Sequence, residues 1–500
     1  MPAEIPAEIP TEIKTEITDR NVLRNIGKIR AKTRNSIYFS PQFIIIKDVN
    51  FARNYLYTFY CQMDQVFHKK QKKCGKGVIM TDQPTTLSPS PQELFLERIR
   101  RVDDAIALKE GDRVPFAPFN SALPYFLYGA SFRDSMYDYE KASQAILSFY
   151  QDFQPDADIH LAFTSGRANE LAGSTMIGWP GRPGTRVPDF STHQVIEHEY
   201  MSQEEYPEFI NDFMGFTLRK YLPRAFPNLK GLSGIRFVPS IVLSTTPLAS
   251  LYSPEVQEAF SVLAKIGEED AKAAAASNAL SARIAAMGIP PMMTGIGEAP
   301  FDIIGDYYRG TLGALTDQLE CPDMIERACD MLADMQIASY EYFKTAPLPV
   351  KRVFFPLHKG MDGFMSPAQY EKLYWKPLKK IMLALIDMGV TPFIYTEGKY
   401  NSRLEQLADV PAGKVIYHFE SVDMAQAKKV LGNTACISGN LPIYLLEHGT
   451  KQQVIDACKS LIDTCAPGGG YIFDTNGSID NAKRENIEAM YDTVLTYGKK

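Results

Sequence analysis

Short apolar runs alternate with amphipathic segments along the C-terminal third of the chain. Runs typical of strands lie at 353–355, 392–395, 415–419, 435–438 and 471–473, and helical patterns lie between them, as at 403–407, 423–431 and 451–465. Strands alternating with helices predict parallel strands joined by right-handed crossovers. Because similar signals lie upstream, the pattern favours a closed (β/α)8 TIM barrel. An open doubly wound sheet is the alternative, but no G-x-G-x-x-G follows the first strand.

Upstream, the same periodicities predict helices over 92–109 and 271–286, separated from each other by strands at 114–119 and 158–163. Ser366-Pro367 combines a capping side chain with a proline at the first helical position, so a helix should begin there. We expect it to run to Gly389 with a kink at Pro377, since proline cannot donate the helical hydrogen bond.

The first 79 residues have a different character. They begin with a four-residue repeat of the Pro-Ala-Glu-Ile type and hold 14 Lys/Arg against 7 Asp/Glu. Proline at every fourth position opposes a helix, so we predict a disordered basic extension over 1–79 and a folded barrel over 90–500. The remaining residues hold 39 basic against 52 acidic side chains, which gives no electrostatic footprint for nucleic acid.

Composition narrows the class of protein further. No run approaches the ~20 apolar residues that cross a bilayer, and the N-terminus lacks a signal-peptide pattern. Seven cysteines without repeated spacing do not form a disulfide framework. We therefore expect a cytoplasmic protein with reduced thiols and no membrane contact.

Polar residues follow several of the predicted strands. In such barrels the loops at the carboxyl ends of the strands carry function. Glu397 and His358 have the chemistry of an acid–base pair or of two metal ligands, and Asp474 could join them. His418 lies within an apolar run and is interpreted as a core histidine. His193 and His198 are five residues apart and do not form a zinc pair.

Several motifs then resemble the uroporphyrinogen decarboxylase superfamily. They are Gly111-Asp-Arg-Val-Pro115, Ala299-Pro-Phe-Asp302 through Asp306-Tyr-Tyr-Arg309-Gly310, Ser366-Pro-x-x-Tyr370-x-x-x-Tyr374-Trp-x-Pro377, Ile437-Ser-Gly-Asn440-Leu-Pro442 and Gly468-Gly-Gly-Tyr-Ile472. The resemblance covers roughly residues 90–500 and implies a (β/α)8 barrel. It implies either a true decarboxylase or a cobalamin-linked methyltransferase.

Two segments bear on that choice. True decarboxylases of the superfamily carry an arginine-rich segment where this chain has 116–126, which contains no Arg or Lys. A substrate with eight carboxylates needs cationic partners, which argues against it here. The thiol-using methyltransferases bind zinc through two cysteines that are absent here. Glu397 stands at the position of the first and could ligate a metal in a mixed N/O site.

The sequence therefore predicts a methyltransferase that moves a methyl group from an O- or N-methylated small molecule to a corrinoid on a partner protein. Uroporphyrinogen decarboxylase, which would need no cofactor, and a noncatalytic binding protein are the alternatives. Zinc or another divalent ion is expected on Glu397 and His358 in the metal version, and relatives that pair imply a homodimer by analogy. The predicted catalytic residues are Glu397, His358 and Asp474, and the predicted substrate-binding residues are Asn120, Tyr125, His193, Asp362, Tyr395 and Asn440.

Overall fold

The computed structural model describes residues 38–40, 43–45, 89–237 and 245–499. Strands β1 to β10 span, in order, Tyr38–Ser40, Phe43–Ile45, Ile177–Gly178, Gln194–Val195, Gly295–Ile296, Arg352–Leu357, Thr391–Thr396, Ile416–Phe419, Cys436–Ser438 and Tyr471–Ile472. The α-helices span Pro91–Ile106, Leu123–Leu127, Phe132–Tyr137, Tyr139–Asp152, Gly166–Ala172, Tyr206–Asn211, Phe213–Phe216, Leu222–Ala225, Pro254–Ala286, Pro300–Ile303, Gly310–Glu320, Pro322–Ser339, Pro367–Gln369, Lys376–Asp387, Leu404–Leu407, Met424–Leu431, Ile443–His448, Lys451–Cys465 and Arg484–Tyr497. Segments of π-helix span Thr217–Tyr221, Ile304–Arg309 and Tyr370–Trp375.

Most of the predicted extension, residues 1–79, lies outside the described residues, so its boundary stays a prediction. Within it, β1 and β2 form an antiparallel pair of three residues each. No helix in the described part of the chain is long and apolar enough to cross a membrane.

The C-terminal strands form a parallel sheet. Strands β5 to β10 lie side by side in sequence order, and every neighbouring pair among them is parallel. The five predicted strand segments overlap β6 to β10 one by one, and their ends agree to within two residues. Helices connect the successive strands, as parallel pairing requires. The predicted α/β architecture is therefore confirmed.

Two extended segments close the sheet into a barrel. Phe473 donates its N–H to the Pro115 carbonyl at 2.8 Å, which joins β10 to the segment 114–119. Asp156 donates its N–H to the Phe116 carbonyl at 2.7 Å, and Asp158 donates to the Pro290 carbonyl at 2.9 Å. These bonds lead from 114–119 through 156–160 to the approach to β5, which completes an eight-stranded ring.

The barrel interior is an apolar core, and a helix closes it at one end. Alternate strand residues point inward, and Phe119, Phe354 and Tyr395 pack there as an aromatic layer. Helix Pro91–Ile106 packs its apolar face into the same cluster. Its Asp103 binds Arg352, the first residue of β6, at 2.6 Å. The helix therefore covers the amino end of the barrel.

A buried carboxylate stabilises the amino end of the barrel. Asp156 is 0% exposed and accepts hydrogen bonds from Arg101 at 2.7 Å, from Arg113 at 2.6 Å and from the Phe116 N–H at 2.9 Å. Two guanidinium groups and one amide thus neutralise and satisfy a charge that would be costly to bury alone.

The predicted helix after Ser366 is interrupted by a π-helical segment. Ser366 caps its start, with the Gln369 N–H donating to the serine hydroxyl at 3.3 Å. The chain is then π-helical over Tyr370–Trp375 before Lys376–Asp387 continues as an α-helix with Pro377 in its first turn. The wider turn accommodates the missing proline N–H without ending the helix.

Candidate active site

A cluster of carboxylates and one imidazole lies at the carboxyl ends of β5, β6 and β7. Glu298 follows β5, His358 follows β6 and Glu397 follows β7. Asp302 and Asp306 reach the same place from the helical segments after β5, which span Pro300–Ile303 and Ile304–Arg309. The site is therefore at the end of the barrel where TIM-barrel enzymes carry theirs.

His358 is the centre of this cluster. Its Nδ1 lies 2.6 Å from an Asp306 oxygen and 3.8 Å from a Glu298 oxygen. Its Nε2 lies 3.8 Å from a Glu397 oxygen. The two ring nitrogens therefore face carboxylates on opposite sides. The predicted pair of Glu397 and His358 is brought together, although its catalytic role stays a prediction.

Asp302 holds the loop that carries the imidazole. Its side chain is 0% exposed and accepts hydrogen bonds from the backbone N–H groups of His358 and Lys359, both at 2.9 Å. The Tyr374 hydroxyl donates to it at 2.5 Å. These three donors fix the end of β6 and hence the position of the His358 ring.

Burial and crowding of like charges change the pKa values of this cluster. Burial, together with Asp306 and Asp302, raises the pKa of Glu298 to about 8. Burial alone would lower the pKa of His358, but the hydrogen bond to Asp306 and the nearby carboxylates raise it to about 9. Burial also raises the pKa of Glu397, against the opposing effect of His358. At neutral pH the site therefore holds exchangeable protons next to ionised carboxylates.

Among the described residues, the cationic groups in contact with the cluster are His358 and Lys359, and both are paired, whereas Lys399 lies in the adjoining cleft. Lys359 forms an ion pair with Asp306, and this pair, with His358, holds the pKa of Asp306 below its ordinary value despite burial. Glu420, at the end of β8, accepts a hydrogen bond from the Gly398 N–H beside Glu397. Five carboxylates thus face two cationic groups. They are Glu298, Asp302, Asp306, Glu397 and Glu420, against His358 and Lys359.

Asp474, the third predicted catalytic residue, lies one layer deeper in the barrel. It is 1% exposed and accepts hydrogen bonds from the N–H groups of Phe119 at 3.0 Å and Thr475 at 2.6 Å. Its other oxygen lies 3.1 Å from Nε2 of His418. The contacts of Asp474 within the described residues do not include Glu397 or His358. They join the loop after β10 to the barrel segment 114–119.

His418 is fully buried, as expected for a core histidine. Its ring stacks on Tyr395, with centroids 4.6 Å apart, so Tyr395 forms part of the floor beneath Glu397. A buried Nδ1 on His418 has no hydrogen-bond partner among the described residues. Tyr395 was predicted to bind substrate, and its position below the cluster is compatible with that role.

The other predicted substrate-binding residues are spread over the fold. Asn120 is buried beside the hydroxyls of Tyr150 and Tyr491, and Tyr125 is 3% exposed in the main core. Asp362 binds Ser402, with the serine hydroxyl donating at 2.6 Å. The remaining two lie on the surface or in a cleft: His193 is exposed beside Phe132, and Asn440 lines a cleft next to the cluster.

Glu298 and Asp306 received no role in the sequence analysis. Glu298 follows a strand of only two residues, Gly295–Ile296, which makes no apolar run. Asp306 belongs to one of the recognised motifs, but its π-helical segment leaves no regular periodicity from which to infer its direction. The available signal was the density of acidic residues in 298–306, directly after a glycine-rich segment.

The ligand types fit a divalent metal at one place. Glu298, Asp306 and His358 offer ligating atoms that all lie within 4.8 Å of one another. The pair expected from the sequence, Glu397 and His358, provides only two ligands on the opposite side of the imidazole. Two carboxylates and one imidazole are a mixed N/O set suited to zinc or manganese.

Residues 259–497 match the family model described as uroporphyrinogen decarboxylase (URO-D). A uroporphyrinogen decarboxylase of Syntrophotalea carbinolica is 24% identical over 209 residues, which are 40% of this chain and 59% of that protein. The matched region thus spans less than two thirds of this relative.

A solved structure was also found, a methyltransferase from Methanosarcina mazei. It is 14% identical, with a TM-score of 0.49, and the match covers 80% of this chain and 98% of that chain.

The family match includes strands β5 to β10 and all five carboxylates of the cluster. The motifs quoted from the sequence between Ala299 and Ile472 fall within it as well. Residues 259–497 therefore carry the similarity to the uroporphyrinogen decarboxylase family.

Proposed function

We propose that the protein transfers a methyl group from an O- or N-methylated small molecule to a corrinoid carried by a partner protein. The observation that supports this most is the composition of the barrel mouth, where five carboxylates surround one imidazole and one paired lysine. Such a site supplies protons and repels anions.

This reaction requires the protein to supply a proton. When the bond between carbon and the heteroatom breaks, its electron pair stays on the oxygen or nitrogen while the methyl group passes to the acceptor. An alkoxide or amide anion is a poor leaving group, so the heteroatom must take a proton as the bond breaks. Glu397 and His358, 3.8 Å apart, are placed to deliver it. Glu298, with a pKa of about 8, is a further acid on the other side of the ring.

The corrinoid would supply a strongly nucleophilic acceptor for the methyl group. The residues of this chain would bind the methyl donor, orient it and protonate its leaving atom. The aromatic layer of Phe119, Phe354 and Tyr395 gives the donor an apolar floor below the polar cluster. Fixed acids above such a floor orient a small molecule better than groups solvated by bulk water.

A divalent ion on Glu298, Asp306 and His358 would instead polarise the leaving atom, and in that version Glu298 and His358 would serve as ligands while Glu397 would supply the proton. We expect the purified protein to bind about one zinc ion per chain, and Glu298→Gln to weaken zinc binding about 10–100-fold. Calorimetric titration with zinc measures both. Glu420→Gln removes a carboxylate of the same mouth that lies outside the ligand set and serves as the matched control. Equal affinity in the two variants would contradict this ligand set, and a loss confined to Glu397→Gln would favour the pair expected from the sequence.

Uroporphyrinogen decarboxylase activity is the second candidate, because both the family model and the bacterial relative carry that description. The negative charge of the barrel mouth argues against decarboxylase activity. Arg309, the guanidinium nearest the cluster in sequence, is 5% exposed and binds Asp317 at 2.5 Å. A polycarboxylated tetrapyrrole would therefore meet more carboxylates than free cations.

One set of assays separates the candidates. The protein is mixed with a reduced corrinoid protein and a panel of methyl ethers and methylamines, and the absorbance of the cobalt centre is followed. A change that requires both the methyl donor and this protein is expected. Loss of carboxylates from uroporphyrinogen, without added cofactor, would instead show a decarboxylase. A noncatalytic relative would leave both assays unchanged.

A further inference from the structure

A polar cleft adjoins the acidic cluster, and three of its ten lining residues are asparagines. Its volume is ≈ 490 Å³, and its lining comes from the loops that follow β7, β8, β9 and β10. Glu420 belongs to both places, since it lines the cleft and also accepts a hydrogen bond from the Gly398 N–H next to Glu397. A ligand in the cleft would therefore border the candidate active site.

Three asparagines of this cleft are each fixed at one end. The Asn440 amide donates to the Val422 carbonyl at 2.9 Å. Asn476 accepts from the Ile443 N–H at 2.9 Å, and Asn401 accepts from the Asp423 N–H at 3.0 Å.

The second polar atom of each of these side-chain amides makes no hydrogen bond within the described residues. Asn440 keeps its carbonyl oxygen as an acceptor, whereas Asn476 and Asn401 keep their amide N–H groups as donors. Because their anchored ends hold the side chains in place, these free ends form a preorganised set for a polar ligand.

The charge of the lining disfavours an anionic ligand. Glu420 and Asp423 bring two carboxylates to the cleft, and Lys399 brings one ammonium group. An anion would therefore be repelled, whereas a carboxamide is neutral and offers both a donor and an acceptor. Tyr444 is 62% exposed at the same cleft and presents an apolar face to a ring.

We propose that this cleft binds the carboxamide side chains at the edge of the corrin ring. This inference rests on the proposed function and names how the chain would recognise the methyl acceptor. A corrin carries acetamide and propionamide arms around its rim, which match the free acceptor of Asn440 and the free donors of Asn401 and Asn476. Rim contacts in the cleft would hold the ring beside the cluster that protonates the leaving group.

The test uses two isosteric variants that spare the anchoring bonds. Asn401→Asp and Asn476→Asp each keep the oxygen that accepts the backbone N–H, and each replaces the free donor by a carboxylate oxygen. Asn481→Asp makes the same substitution at an exposed amide outside the cleft, where the amide donates to Glu447, and is the control for an added surface charge. Binding of dicyanocobinamide, whose arms are amides, is compared with binding of cobyrinic acid, whose arms are carboxylates, by calorimetry on the full chain.

We expect the full chain to bind dicyanocobinamide and to bind cobyrinic acid at least about tenfold more weakly. Each cleft variant should weaken dicyanocobinamide binding about 3–10-fold, and Asn481→Asp should leave it within twofold. No binding of dicyanocobinamide, equal binding of the two corrinoids, or equal effects of the three variants would overturn the proposal. Amide-dependent binding without methyl transfer would support the corrin-binding role of the cleft and refute the proposed function. Methyl transfer that the cleft variants do not affect would support the proposed function and refute the corrin-binding role of the cleft.

Discussion

Glu397→Gln is expected to lower the rate of methyl transfer to the corrinoid acceptor by about 10²–10⁴-fold. The substitution keeps the shape of the side chain at the end of β7 and removes the acidic proton. Glu397 lies 3.8 Å from Nε2 of His358, and burial raises its pKa, so it retains a proton more readily than a free carboxyl. Single-turnover measurements of the cobalt absorbance report the transfer step directly.

Two comparisons make this result interpretable. Glu405→Gln removes an exposed carboxylate from the helix Leu404–Leu407, away from the cluster, and should leave the rate unchanged. Affinity for the methyl donor should change less than the rate, because the proton is needed only as the bond breaks. A Glu397→Gln protein that transfers methyl groups at half the normal rate or faster would refute the role of this residue and leave Glu298 as the acid to examine.

Asp156→Ala is expected to lower the free energy of unfolding by about 3–5 kcal/mol, because it removes the buried carboxylate that Arg101 and Arg113 share and leaves Arg101 with only the more exposed partners Glu97 and Asp112. Arg101 and Arg113 both bind Asp156, whose side chain is fully buried. The Phe116 N–H also loses its acceptor. Chemical denaturation followed by circular dichroism measures the change.

The matched control for this variant is Asp152→Ala. Asp152 pairs with Arg484 at 2.5 Å, and both side chains are nearly half exposed, so its removal should lower the free energy of unfolding far less than removal of Asp156. Equal losses of stability in the two variants would mean that the buried network at the amino end contributes no more than a surface pair.

The sequence predicts the barrel well because the strands β6 to β10 are short apolar runs between amphipathic helices. That pattern reflects strands buried on both faces, and it marks each strand end to within a residue or two. It was weaker where the first two barrel segments, 114–119 and 156–160, pair through only isolated bridges. Backbone pairing there depends on tertiary closure, which local periodicity does not record.

The candidate site was predictable only in part. His358 and Glu397 follow long strands, so their common location could be inferred from strand ends alone. The level of a residue within the barrel could not be inferred, because it depends on the stagger between strands. Asp474 also follows a strand, yet it lies lower and meets His418. Glu298 and Asp306 come from short or irregular segments whose direction is set by packing.

The helix that covers the amino end of the barrel also limits how small molecules can reach the candidate active site. Val102, Ala105 and Ile106 pack into the apolar interior and close the amino end of the barrel. We therefore expect a small molecule to reach the site from the carboxyl ends of the strands. If the proposed corrinoid protein docks at that end, the methyl donor would bind before the partner and the demethylated product would leave after it.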